Sequence, residues 1–113
     1  MFHEKQQARL TLMKYDDALV AKEYDLAFDI RDPELKRLLS ESDFQKSHEI
    51  AESRYGRLDK IMLEPGEKVG DQNGMTVVIN ARVIYAHAED HFAVTMKKEG
   101  NLWFVHDYRY QAR

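Results

Sequence analysis

At 113 residues, with 43% hydrophobic and 33% charged content, the chain is sized for one domain with a single core. Its net charge of −3, from 17 basic and 20 acidic residues, gives no electrostatic basis for binding nucleic acid or an anionic membrane. The lack of cysteine excludes a disulfide framework, thiol catalysis and cysteine-ligated zinc or iron–sulfur centres.

No stretch approaches the roughly 18 consecutive apolar residues that a membrane span needs. No basic segment followed by an apolar one opens the chain, so the expectation is a cytoplasmic protein. A trimmed extracellular domain of a secreted or anchored protein would read the same way.

In chain order, Glu4 to Tyr24 reads as a long helix, with Ala8, Leu12, Tyr15 and Leu19 at helical spacing. Lys5, Gln6, Arg9, Lys14, Asp16 and Lys22 form its wet side on that reading. Asp25 is placed to cap a short second helix carrying Leu26, Ala27, Phe28 and Ile30. Asp32-Pro33 breaks it, and the proline suits the first turn of a brief helix ending at Leu39. Ser42 followed by Gln45 has the capping-box pattern and opens a helix to about Arg54, with Phe44, His48 and Ala51 on one stripe. Tyr55-Gly56 stops it, glycine being suited to a left-handed terminus.

A first strand follows over about Arg57–Leu63. Glu64-Pro65-Gly66 makes a turn, and Val69 resumes the strand. A loop over Gly70–Gly74 leads to three strands in tight succession: Met75–Ala88, His91–Lys97 and Asn101–Tyr110. Glu89-Asp90 reads as the first hairpin loop and Lys98-Glu99-Gly100 as the second. These loops would pair His87 with Phe92, Tyr85 with Val94, and Val94 with Phe104. Alternation then gathers Val77, Ile79, Val83, Tyr85, Phe92, Val94, Met96, Leu102, Phe104, His106 and Tyr108 on one nearly apolar face. The expectation is a single α+β domain over 1–113, with helices in 4–55 packed on one face of an antiparallel sheet in 57–110.

Three segments carry a family resemblance. Asp17–Phe28 looks like a turn from a first helix into a second, Leu39–Phe44 with Tyr55-Gly56 like the entry and exit of a third, and Gly100–Val105 like a closing strand. In this order they resemble the nuclear transport factor 2-like superfamily, a cystatin-like cone that includes ketosteroid isomerase and many small bacterial proteins. The resemblance implies three N-terminal helices on a curved four-stranded sheet, with a pocket between the layers. It does not imply one chemistry, since this fold hosts isomerases, hydratases, ligand binders and interaction domains.

On that geometry the candidate ligand-binding residues are Tyr15, Tyr85, His87, Phe104, His106 and Tyr108, with Tyr24 able to reach the same cavity. The leading expectation is a non-catalytic domain binding a small apolar ligand or a protein, without cofactor. The alternative is a cofactor-free isomerase or hydrolase using His106 with Tyr85 or Tyr108. No carboxylate falls on the inner face in this register, so no catalytic set is assigned. Nor is a metal site: His87 and His91 fall on opposite faces, and His87 and His106 flank Phe92 at about 9–10 Å. The outer face would align Ile84, Thr95 and Trp103 beside Ala86, Ala93 and Val105. That apolar patch, centred on Trp103, reads as a homodimer interface.

Overall fold

A computed structural model describes residues 2–70 and 75–111. Four helices precede five strands: α1 (Phe2–Val20), α2 (Tyr24–Asp29), α3 (Pro33–Leu38), α4 (Glu41–Tyr55), β1 (Leu58–Leu63), β2 (Lys68–Val69), β3 (Thr76–Tyr85), β4 (Glu89–Glu99) and β5 (Leu102–Gln111). The strands form one curved, unclosed antiparallel sheet in the order β1-β3-β4-β5, with β2 paired to β3. The α+β expectation holds, with one more helix and one more short strand than the resemblance implies. Most of the expected loop before β3 lies outside the described residues.

The apolar stripe of α1 is the one read from the sequence: Ala8, Leu12, Tyr15 and Leu19 are all buried. The helix stops earlier than expected because Lys22 adopts a left-handed conformation (φ 61°), with Glu23 N–H donating back to the Ala18 carbonyl. Arg9 fastens the helix to the far end of β1, donating to the Leu63 and Glu64 carbonyls at 3.0 Å each and pairing with Glu67.

Two caps differ from expectation. Ser40, not Ser42, caps α4, its hydroxyl accepting from Asp43 N–H at 3.1 Å. Glu23 rather than Asp25 precedes α2, and makes no side-chain cap. Gly56 ends α4 as expected, at φ 87°. A Cβ there would come within 2.8 Å of Ala86 and His87, because the α4 terminus abuts the β3–β4 turn.

The register of the first hairpin is shifted. The turn is Ala86–Ala88, not Glu89-Asp90, so Phe92 pairs with Ala81 and Val94 with Ile79. The slip leaves side-chain parity unchanged, and Val77, Ile79, Ala81, Val83, Val94 and Met96 form the buried face. It moves His87 from the inner face to the exposed tip of the turn.

The second hairpin turns at Gly100-Asn101, and its register breaks once. Thr95 pairs with Asp107 but Met96 with Val105, leaving His106 as an extra residue in β5. Beyond that bulge the faces exchange. Trp103 is 6% exposed and belongs to the core with Val105, while Leu102 is 64% exposed and Phe104 turns to the outer side. The patch read as a dimer interface therefore loses its centre. Trp103 and Val105 face the helices, Ala86 is in a turn, and Ile84, Ala93 and Thr95 stay on an outer face that also carries Arg82, Glu89 and His91.

Replacing Trp103 by alanine should cost about 3–5 kcal/mol of stability, the usual cost of deleting a buried tryptophan. Urea unfolding measures it. A midpoint within experimental error of the wild type would contradict the core placement.

Candidate functional site

Between the helices and the buried face of the sheet lies a cavity of about 240 Å3. Leu19, Phe44, Leu58, Ile61, Val83 and Phe92 supply its apolar surface. Tyr15, Arg31, Ser47, His48, Tyr85 and Tyr108 supply its polar groups. Aromatic rings frame it in two linked sets. Phe44 contacts Tyr15 at 6.3 Å, Phe28 at 5.7 Å and, edge-on, His48 at 4.7 Å between centroids. Tyr108 contacts Phe92 at 4.8 Å and Tyr15 at 6.1 Å, which joins the sheet wall to the helix wall.

Three of the expected pocket residues line this cavity: Tyr15, Tyr85 and Tyr108. The other three do not. His87 is at the exposed turn, and Phe104 is on the outer face. His106 sits in the bulge, where its Nδ1 bonds Asp32 Oδ2 at 2.9 Å. Asp32 is buried and caps α3, its other oxygen accepting from Glu34 N–H at 2.8 Å. Burial alone would raise its carboxyl, but the bonds from Glu34 and His106 outweigh that and hold it below the usual range. Asp32, Glu34 and His106 bring three ligand-type atoms within 4.8 Å of one another. Both Asp32 oxygens are already engaged, so this group reads as a structural joint.

Two cavity residues escaped the sequence reading. His48 is set by the sequence only on the apolar stripe of α4. It stacks on Tyr24 at 5.9 Å, and burial, reinforced by the Arg31 charge, lowers its pKa to about 4, so the ring is neutral at pH 7. Arg31 was not singled out. Its backbone is fixed beside β5: Val105 N–H donates to the Ile30 carbonyl at 2.8 Å and Asp32 N–H to the Val105 carbonyl at 2.9 Å. From there its guanidinium lies over the Phe44 ring, 4.7 Å from the centroid.

Asp16 is the third surprise. It is 4% exposed, although its spacing put it on the wet side of α1. It borders a smaller cavity of about 160 Å3 with Arg9, Met13, Asp17, Ile61 and Leu63. Burial, and then the neighbouring Asp17 carboxylate, push its pKa well above the usual carboxylate range, with the nearby Tyr108 hydroxyl pulling the other way. Neither Asp16 oxygen nor the Tyr108 hydroxyl has a well-formed hydrogen bond. Burial and the Asp16 charge likewise raise Tyr108. Tyr15 is raised by burial, against the pull of Arg31 beside it.

No known family's sequence pattern matches the chain, and no curated protein matches it. Among the described residues, no helix is long and apolar enough to cross a membrane.

The state of Asp16 is testable through stability. Its folded pKa lies above its unfolded value of about 3.9, so its contribution is fully present below that value and is lost as pH rises through the folded one. Asp16→Asn, which fixes a neutral side chain, should gain stability relative to wild type as pH rises from about 4 to 8. Urea unfolding at several pH values measures this, and a pH-independent difference would contradict the raised pKa.

Proposed function

We propose that this chain is a non-catalytic binding domain whose cavity takes a small, largely apolar ligand. The observation that carries this reading is the cavity itself: an apolar space between layers, edged by a few convergent polar groups, which is the usual construction of a ligand site. At about 240 Å3 it falls below the roughly 300–1,000 Å3 of pockets for drug-sized molecules. A cavity of about 150 Å3 holds benzene, so this one suits a single ring with a short substituent. The helix-on-curved-sheet layout is compatible with the nuclear transport factor 2-like cone, in which a pocket lies between these same layers.

A second reading, a cofactor-free isomerase or hydrolase, draws support from one feature: a buried carboxyl beside Tyr108 whose pKa burial pushes well above the usual range. The histidine first considered for that chemistry does not serve it, because His106 and its partner Asp32 lie outside the cavity lining. Asp16 borders the smaller cavity rather than the main one. Binding is therefore the better supported function.

Titration with indole, followed by 1H–15N NMR, tests the binding reading. Shifts should cluster on the cavity lining, and Ala51→Phe, which puts a ring into the space, should weaken binding at least tenfold. Shifts scattered over the surface, or binding unaffected by Ala51→Phe, would contradict it.

A further inference from the structure

The cavity contains one side chain whose chemistry is not accounted for by packing. Arg31 lines it, and its Nε is buried with no hydrogen-bond partner. Among the described residues no ion pair involves Arg31, whereas Arg9, Lys22, Lys36, Arg57, Arg82, Lys98 and Arg109 each have a carboxylate within 4.0 Å. Among the described residues, none that lines the cavity is an aspartate or glutamate. Arg31 is half-buried, and a charge drawn partly out of water is costly unless a partner compensates it; the Phe44 face and Tyr15 hydroxyl beside Arg31 do so only in part.

The surrounding groups leave that charge uncancelled. His48, its histidine neighbour, is neutral at pH 7. Asp16 lies next to Tyr15 and Tyr108 rather than in the lining, and its raised pKa favours the neutral acid. Glu52, the α4 carboxylate whose charge acts on His48, is committed to Lys22 at 3.3 Å and to Leu58 N–H at 2.7 Å. The backbone pairing of Ile30 and Asp32 with Val105 fixes the main chain from which Arg31 extends, and the Phe44 face supports the guanidinium at its end.

We propose that the cavity's ligand is a small monocarboxylic acid with an aromatic or compact apolar tail, its carboxylate held by the Arg31 guanidinium and its tail by Phe44, Val83 and Phe92. The inference rests on the binding function proposed above and specifies its ligand class. A guanidinium presents paired N–H donors that match a carboxylate in two parallel bonds. One cation balances one negative charge. A phosphate ester, with close to two charges, would call for a second cation, and the lining offers none. The volume agrees: a benzene-sized ring leaves room for a chain of two or three atoms ending in the acid.

The test compares two probes of the same shape, 3-phenylpropionate and 3-phenylpropanol, by calorimetry and NMR at pH 7. The wild type should bind the acid about 10- to 100-fold more tightly than the alcohol, the range expected for hydrogen bonds to a charged group. Arg31→Met, its fold checked by circular dichroism, should bring the two probes within a few-fold of each other. Should that variant not fold, Arg31→Lys keeps the charge but not the fork, and should weaken acid binding while keeping its preference. Equal binding of both probes by the wild type, or an acid preference that survives Arg31→Met, would overturn the carboxylate assignment and leave the apolar cavity standing. Failure of both probes and of indole to bind would overturn the cavity reading as well.

Discussion

One extra residue in β5 governs the inner architecture. Without a bulge, side chains on one strand alternate strictly, and Val105 and Tyr108 could not share a face. Inserting His106 opposite the Thr95–Met96 step lets Trp103 and Val105 enter the core on one side of the break and Tyr108 enter it on the other. The Asp32 carboxylate holds the bulge from outside through His106, while the same aspartate starts α3. The chain just before it runs alongside Val105, which anchors Arg31. Bulge, helix cap and cationic side chain are thus one connected unit, and each fixes the position of the next.

That unit also explains how polar groups persist against an apolar wall. The aromatic contacts between Tyr15, Phe44, Phe92 and Tyr108 close most of the space between layers but do not fill it. Burial pushes the titratable groups around the cavity toward their uncharged forms: it lowers the pKa of His48 and raises those of Asp16, Tyr15 and Tyr108. Arginine cannot follow this route, because its guanidinium stays charged at any pH a protein encounters. The cavity therefore combines a neutral aromatic wall with one fixed positive charge. Such a site discriminates by charge at one end and by shape at the other.

The sequence made the layers legible because their signals are local and redundant. The α1 stripe, the Pro33 helix start and the Gly56 stop each rest on a residue whose backbone or packing preference allows few alternatives. Inner-face parity in β3 and β4 survived a misplaced turn, since the actual register preserves alternation. The bulge had no such protection. Leu102-Trp103-Phe104-Val105 is apolar at every position, so the pattern fitted either face, and the inward choice depends on a partner far away at Asp32. Errors at Trp103, Phe104 and Val105 follow from a turn at Gly100-Asn101 rather than Lys98–Gly100, an odd slip in register that the bulge at His106 then reverses, returning Tyr108 to the inner face. Asp16 and Arg31 were hidden for another reason. Charged residues normally sit in water, and only three-dimensional packing reveals the exceptions.

The proposed binding depends on a charged arginine facing an open, otherwise neutral cavity. A high-resolution crystal structure of the ligand-free protein is the measurement to make. It should show open space bounded by Phe44, Val83 and Phe92, with the Arg31 guanidinium over Phe44 and no carboxylate of the chain seated on it. A collapsed interior with these rings in contact, or an aspartate or glutamate of the protein's own paired with Arg31, would contradict it.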